Sequence, residues 1–146
     1  MSPLFSQPAF QLYVAASAIL AVTLFGLALW TGVTRSEKKR VVNPEDVKVY
    51  AGASLAEVDH PDVQRVKRAH LNLIENAVPF FVIGLLYSLT DPSLLLVRIL
   101  FFSFVAVRLL HAFFYLTARQ PLRGASFMLG VLVNFVMLVQ VVRAVL

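Results

Sequence analysis

The residues from Ala9 to Val33 form a run of about 25 positions without a charged side chain, long enough for a helix to cross a bilayer with some tilt. Three further apolar segments follow it. The predicted helices cover about 9–33, 62–89, 94–116 and 122–145. Hydrophobic residues make up 59% of the sequence, whereas soluble domains contain about 45–50%. The sequence therefore predicts an all-α integral membrane protein, with residues 1–146 forming one four-helix bundle.

The rest of the composition narrows the possible functions. Cysteine is absent, which rules out disulfides, thiolate metal sites and a cysteine nucleophile. No cluster of histidine and acidic residues has metal-ligand spacing, so we expect no metal. The net charge of +5 is typical of a membrane protein with basic loops on the cytoplasmic side, and we expect no nucleic-acid partner.

Basic residues are concentrated on one side of the predicted topology. The loop of about 35–60 and the start of the second helix carry Arg35, Lys38, Lys39, Arg40, Lys48, Arg65, Lys67 and Arg68. The turn between the third and fourth helices adds Arg119 and Arg123, while the other side has Arg98 and Arg143. The positive-inside rule then places this loop and this turn in the cytoplasm and both termini away from it. Within the loop, Asn43-Pro44-Glu45-Asp46 predicts the start of a short helix.

Polar side chains line one face of the second predicted helix and one face of the third. They are Arg65, Arg68, Asn72 and Glu75 on the second helix, and Arg108, His111 and Tyr115 on the third. Spacings of three and four residues place each set on one helical face. The topology brings both faces to the cytoplasmic side, where Arg35 and Arg123 also lie. A charge in hydrocarbon costs at least about 2.5–3.5 kcal/mol, so we expect these side chains to line the bundle interior or a water-filled cavity.

These residue types suit a charged, peptide-like ligand. Arginine pairs with carboxylates, glutamate binds an ammonium group, and asparagine and tyrosine bind amides. Glu75 and Arg108 lie at similar depth and could pair with each other, either within a binding site or as a structural ion pair. The polar cluster therefore predicts a binding site on the cytoplasmic side.

Two other classes of protein also fit parts of the pattern. A glutamate within the membrane is common in small proton-coupled transporters, but here the polar residues gather at one side and no pair of broken helices is visible. A structural membrane subunit could use the basic loop to bind anionic lipid, which would leave Asn72, His111 and Tyr115 without a role.

The second helix carries the motif that identifies a family. Arg68-Ala69-His70-Leu71-Asn72, with Glu75-Asn76 and Pro79-Phe80, resembles the signature of the MAPEG family, the membrane-associated proteins in eicosanoid and glutathione metabolism. The similarity extends through 43–46, 84–89, Arg108 with His111, Tyr115-Leu116 and 123–127. It covers nearly the whole chain.

The resemblance implies a homotrimer that binds glutathione between neighbouring subunits on the cytoplasmic side. The positions that match glutathione-contacting residues of the family are Arg35, Arg68, Asn72, Glu75, His111, Tyr115 and Arg123. Arg108 matches a polar position that either contacts glutathione or lies one layer behind it. Arg123 matches the arginine that stabilises the glutathione thiolate.

Three positions favour the glutathione transferase branch over the prostaglandin E synthase branch. This chain has Leu71, Gly124 and Phe127, where the synthases have arginine, serine and tyrosine. The resemblance therefore implies a membrane-bound glutathione transferase whose thiolate attacks lipophilic electrophiles or reduces lipid hydroperoxides. The alternative within the family is a glutathione-dependent isomerase of the prostaglandin E synthase type.

Overall fold

A computed structural model describes residues 3–146. The elements in chain order are a 3-10 turn Pro3–Ser6, α1 Pro8–Lys38, β1 Arg40–Val41, α2 Asp46–Val49, β2 Ser54–Leu55, α3 Pro61–Ser88, α4 Leu94–Leu116 and α5 Gln120–Val145. The helices α1, α3, α4 and α5 are each long and apolar enough to cross a membrane. The protein is thus a multi-pass, helical integral membrane protein, as the apolar segments predicted.

The first helix is longer than its sequence pattern predicted. We expected it to end near Val33, but α1 continues to Lys38. The hydroxyl groups of Thr31 and Thr34 donate hydrogen bonds to carbonyl oxygens one turn earlier in α1, at 2.9 and 2.8 Å. These polar side chains are therefore satisfied within the helix and do not end it. The helix ends instead at Lys38, because the next residue, Lys39, turns the chain away with a left-handed φ of 50°.

The connection between α1 and α3 contains more regular structure than expected. The predicted short helix is present as α2, where the Asn43 amide donates a hydrogen bond to the Asp46 carboxylate at 3.1 Å. The strands β1 and β2 pair in parallel on either side of it. Each strand is two residues long, which is too short to show a periodic pattern in the sequence.

Aromatic rings hold the middle of the bundle together. Phe80 of α3 stacks on Phe104 of α4 with ring centroids 4.6 Å apart, and its edge meets Phe101 at 5.5 Å. All three side chains are fully buried. The Tyr13 hydroxyl of α1 donates to the carbonyl of Phe81 at 2.9 Å. Packing and interhelical hydrogen bonds of this kind drive helix association in a bilayer, where lipid is as apolar as the core.

Asp59 ties the loop to the ends of two spanning helices. Its carboxylate lies 3.4 Å from Nε of Arg35 in α1 and 2.9 Å from Nζ of Lys67 in α3. The residue is only 5% exposed. Burial alone would raise the pKa of this carboxyl group, but the Lys67 hydrogen bond and the Arg35 charge outweigh it and hold the pKa below its usual range.

We expect Asp59→Asn to lower the free energy of unfolding by about 1–2 kcal/mol, between the values for exposed and fully buried ion pairs. Because the folded-state pKa is lowered, the contribution is complete above the unfolded-state pKa of about 3.9 and is lost as the pH falls through the folded-state value. Thermal unfolding in detergent from pH 7 to pH 3 measures it. An equal difference between wild type and variant at every pH would contradict this account.

Candidate functional site

The polar face of α4 is directed at the first turns of α5. Arg108 is 1% exposed, and its Nη2 donates hydrogen bonds to the carbonyl oxygens of Ser126 and Phe127 at 2.8 and 3.0 Å. The guanidinium also lies 5.6 Å from the centre of the Phe104 ring and 5.8 Å from that of Phe127. A buried cation is thus held by backbone oxygens and two aromatic rings, without a carboxylate partner among residues 3–146.

His111 fastens α5 one turn closer to the α4–α5 connection. Its Nδ1 is 3.0 Å from the carbonyl oxygen of Arg123 and 3.3 Å from Oγ of Ser126. Because a carbonyl oxygen can only accept, Nδ1 carries the proton and donates it. The Ser126 hydroxyl donates to the same carbonyl at 3.0 Å. In the neutral ring Nε2 is then an acceptor, and it is buried without a hydrogen-bond partner among residues 3–146.

Arg123 presents a cation that no acidic side chain in the described part of the chain neutralises. Its guanidinium lies 4.6 Å above the centre of the Tyr115 ring, a cation–π contact that orients the group and leaves its charge in place. Within the described part of the chain, Arg123 forms no salt bridge. The side chain is therefore positioned and free to bind an anion.

A cavity of about 310 Å³, the α4–α5 cavity, brings several predicted site residues together. It is lined by Asn72, His111, Tyr115, Gln120, Arg123, Gly124 and Phe127. The Asn72 side-chain oxygen is a second buried acceptor without a partner in residues 3–146. One cavity thus combines a free cation with two unpaired acceptors, an arrangement that suits a ligand with both an anionic group and N–H donors.

The other predicted site residues lie on neighbouring surfaces of the protomer. Glu75 is exposed and lines a cavity of about 380 Å³ between α3 and α5, which shares Phe127 with the α4–α5 cavity. Arg68 lines a groove of about 590 Å³ between α1 and α3, where it donates to Gln64 at 3.2 Å. Arg35 lies at the Asp59 ion pair. A single chain therefore divides the predicted site among several surfaces.

The pairing that the sequence allowed between Glu75 and Arg108 is not formed within the chain. No salt bridge joins these two residues, both of which are described. Arg108 is turned toward the carbonyl groups of α5 and is absent from the lining of the α4–α5 cavity. Similar depth in the membrane did not decide which neighbouring helix each polar face would meet.

The sequence reasoning missed two residues of this region, Gln120 in the cavity wall and Ser126 in the hydrogen-bond network. Gln120, Arg123 and Phe127 are spaced at i, i+3 and i+7, the same signal that identified the other two polar faces. Applying that spacing to the start of α5 would have found Gln120. Ser126 lies three residues after Arg123, and its hydroxyl turns back to the Arg123 carbonyl. Residues 3–146 contain no group of three or more side chains that could hold a metal ion.

The fold and cavity define a class of protein, an integral membrane helical bundle with a cationic cavity where α4 meets α5. The chain belongs to the MAPEG family, whose sequence model matches residues 13–143. It is 42% identical over 133 residues to microsomal glutathione S-transferase 1 of Rattus norvegicus, covering 88% of this chain and 85% of that protein. It is 36% identical over 136 residues to prostaglandin E synthase of Bos taurus, covering 92% and 86%. The human prostaglandin E synthase is 33% identical over 126 residues, covering 86% and 82%.

The tautomer of His111 leads to a prediction about stability. His111→Leu removes the donor to the Arg123 carbonyl, and we expect a loss of about 1 kcal/mol in the free energy of unfolding. His111→Asn can place its amide N–H near the Nδ1 position and is expected to lose less. Thermal unfolding of the three proteins in the same detergent measures the difference. Equal stability of all three would exclude a stabilising role for this hydrogen bond.

Proposed function

We propose that this protein is a membrane-bound glutathione transferase that binds glutathione in the α4–α5 cavity and ionises its thiol beside Arg123. Membership of the MAPEG family and the similarity to a microsomal glutathione S-transferase support the choice of cosubstrate. The observation that carries the proposal is the Arg123 guanidinium, which has no salt bridge among residues 3–146, beside two acceptors that are unpaired in the same residues.

The cavity offers complementary groups to a tripeptide with charged ends. The Asn72 side-chain oxygen and the Nε2 of His111 can accept N–H groups of the ligand. Arg68 and Arg35 are suited to its carboxylates and Glu75 to its ammonium group. Arg123 is left for the sulfur atom. This assignment gives Arg35, Arg68, Glu75 and Arg123 each a partner on the ligand and leaves Arg108, which does not line the cavity, without one.

A second copy of the chain would complete the site. Arg68 and Glu75 are exposed on α3 in a single protomer, although a charge facing hydrocarbon is costly. Covering this face with the α4–α5 end of a neighbouring copy would remove it from lipid and gather the divided residues around one ligand. The homotrimer implied by the family resemblance provides such contacts, and its basic connections would face the cytoplasm.

The chemistry then depends on positioning and charge. Lowering the pKa of a bound thiol by two units requires about 2.7 kcal/mol of differential stabilisation. A close guanidinium and the N-terminal end of α5, where Arg123 lies, can supply that in a partly dry site. The thiolate attacks a lipophilic electrophile that enters from the bilayer and forms a thioether with it. With a lipid hydroperoxide it attacks the O–O bond instead, which releases the lipid alcohol, and a second glutathione then converts the oxidised sulfur to the disulfide.

A second candidate is a glutathione-dependent isomerase of the prostaglandin E synthase type. The observation in its favour is the similarity to prostaglandin E synthases, at 33–36% identity in the proteins reported above. Against it, Gly124 follows Arg123 and offers no side-chain hydroxyl to the sulfur. A comparison of electrophile conjugation with prostaglandin endoperoxide isomerisation distinguishes the two.

Arg123→Leu tests the thiolate step. We expect thiolate absorbance on addition of glutathione at neutral pH to disappear, and turnover to fall at least about a hundredfold, since removal of one transition-state donor typically costs that much. The matched control is Arg98→Leu, because Arg98 lies near the start of α4, at the opposite end of that helix from the cavity. It is expected to retain both the thiolate absorbance and the turnover. Wild-type turnover in Arg123→Leu would refute the role of Arg123.

Co-assembly of two inactive variants tests the shared site. One chain carries Arg123→Leu, and the other carries Arg68→Leu with Glu75→Gln. In a ring whose sites each combine α3 of one copy with α5 of the next, random mixing leaves about a quarter of the sites intact. We expect that fraction of wild-type activity from copurified mixtures. No recovery despite copurification would mean that a single protomer holds the whole site.

A further inference from the structure

Arg108 occupies a position that is expensive for a purely structural residue. It is almost completely buried, and its Nε and Nη1 atoms have no hydrogen-bond partner among the described residues. Replacing even a buried ion pair with apolar side chains of similar volume is often neutral or stabilising, and Arg108 has no acidic partner among residues 3–146. Packing between α4 and α5 alone therefore does not explain an arginine here.

Gly130 of α5 leaves the space that the Arg108 guanidinium occupies. A Cβ atom added to Gly130 would collide with the guanidinium of Arg108. The side chain has little room to retreat, because the rings of Phe104 and Phe127 lie on it and two carbonyl groups of α5 hold it. By contrast, a Cβ added to Gly26 of α1 would meet nothing within 4 Å.

The contacts of Arg108 lead directly to the candidate cavity. The two carbonyl groups that it holds belong to Ser126 and Phe127. The Ser126 hydroxyl donates to the carbonyl of Arg123, and the Phe127 ring forms part of the cavity wall. Arg108 thus fixes the turn of α5 next to the one that carries Arg123, although it does not itself line the cavity.

We propose that Arg108 is a positioning residue, seated against α5 by Gly130, which sets the place of the Arg123 guanidinium relative to the bound thiol. The proposal rests on the proposed glutathione function. It assigns to Arg108 a grip on the backbone of α5 in place of a direct contact with glutathione. A displacement of about 1 Å at a reacting group can cost about a hundredfold in rate, so a grip of this kind has a measurable effect on catalysis.

The test compares Arg108→Met, Arg108→Lys, Gly130→Ala and the double variant Arg108→Met/Gly130→Ala, with Gly26→Ala as the control glycine. Methionine removes the charge and the hydrogen bonds. Lysine keeps the charge but lacks the planar fork. Gly130→Ala leaves Arg108 chemically intact and displaces it. For each purified protein we would measure the pH dependence of thiolate absorbance with glutathione, kcat and KM for glutathione, and the thermal unfolding midpoint.

We expect Arg108→Met and Arg108→Lys to need a pH about one unit higher for half-ionisation of bound glutathione, a tenfold loss of thiolate at a fixed lower pH. Gly130→Ala is expected to lower the amount of thiolate at the same fixed pH several-fold. KM and the unfolding midpoint are expected to change little. The double variant is expected to give the same thiolate titration as Arg108→Met alone, because the extra methyl group at position 130 acts only by displacing the Arg108 guanidinium. Gly26→Ala is expected to behave as wild type.

Three outcomes would overturn the proposal. Wild-type thiolate titration in Arg108→Met would leave Arg108 a structural residue. A rise in KM without a shift in the titration would make it a ligand of glutathione. Retention of the titration in Arg108→Lys would assign its effect to charge alone. Failure of the proposed function is distinguishable, because wild type would then show no thiolate with glutathione at any pH tested.

Discussion

The docking of the polar face of α4 onto the start of α5 determines the rest of the candidate site. Arg108 and His111 both donate to backbone carbonyls of α5. Carbonyl groups in a spanning helix already accept one bond from within the helix, and their second lone pair can receive a donor from a neighbour. The two helices are thereby fixed to each other. Arg123 projects from a turn of α5 whose carbonyl oxygens accept hydrogen bonds from α4. The cationic cavity is a consequence of that arrangement.

The opposite situation holds on α3, where polar side chains lack cover. Arg68 and Glu75 are exposed in the protomer, and hydrocarbon is a poor environment for either charge. The proposed function therefore links chemistry to assembly, because the residues proposed to bind the ends of glutathione are also those that a neighbouring copy would cover. Asp59 has a related role outside the membrane, since it holds Arg35 at the end of α1 through an ion pair with the loop.

The sequence was sufficient for the helices and for the faces that carry polar residues, because hydropathy and helical spacing are local properties. It was insufficient for the contacts between helices. Spacing placed Arg108 on a polar face but did not specify that this face turns toward α5, so it could not decide whether Arg108 pairs with Glu75 or with the carbonyl groups of α5. The Asp59–Arg35 ion pair joins a loop to a helix end, a contact that local spacing does not predict. The end of α1 was also placed too early, because Thr34 forms a hydrogen bond within the helix instead of ending it.

The most direct test of the account is an experimental structure of the protein in lipid nanodiscs with bound glutathione. The account predicts a trimer with one glutathione at each contact between copies, its sulfur beside Arg123 of one chain and its charged ends on Arg68 and Glu75 of the next. Glutathione bound within one protomer, or with its sulfur distant from Arg123, would contradict the central claim.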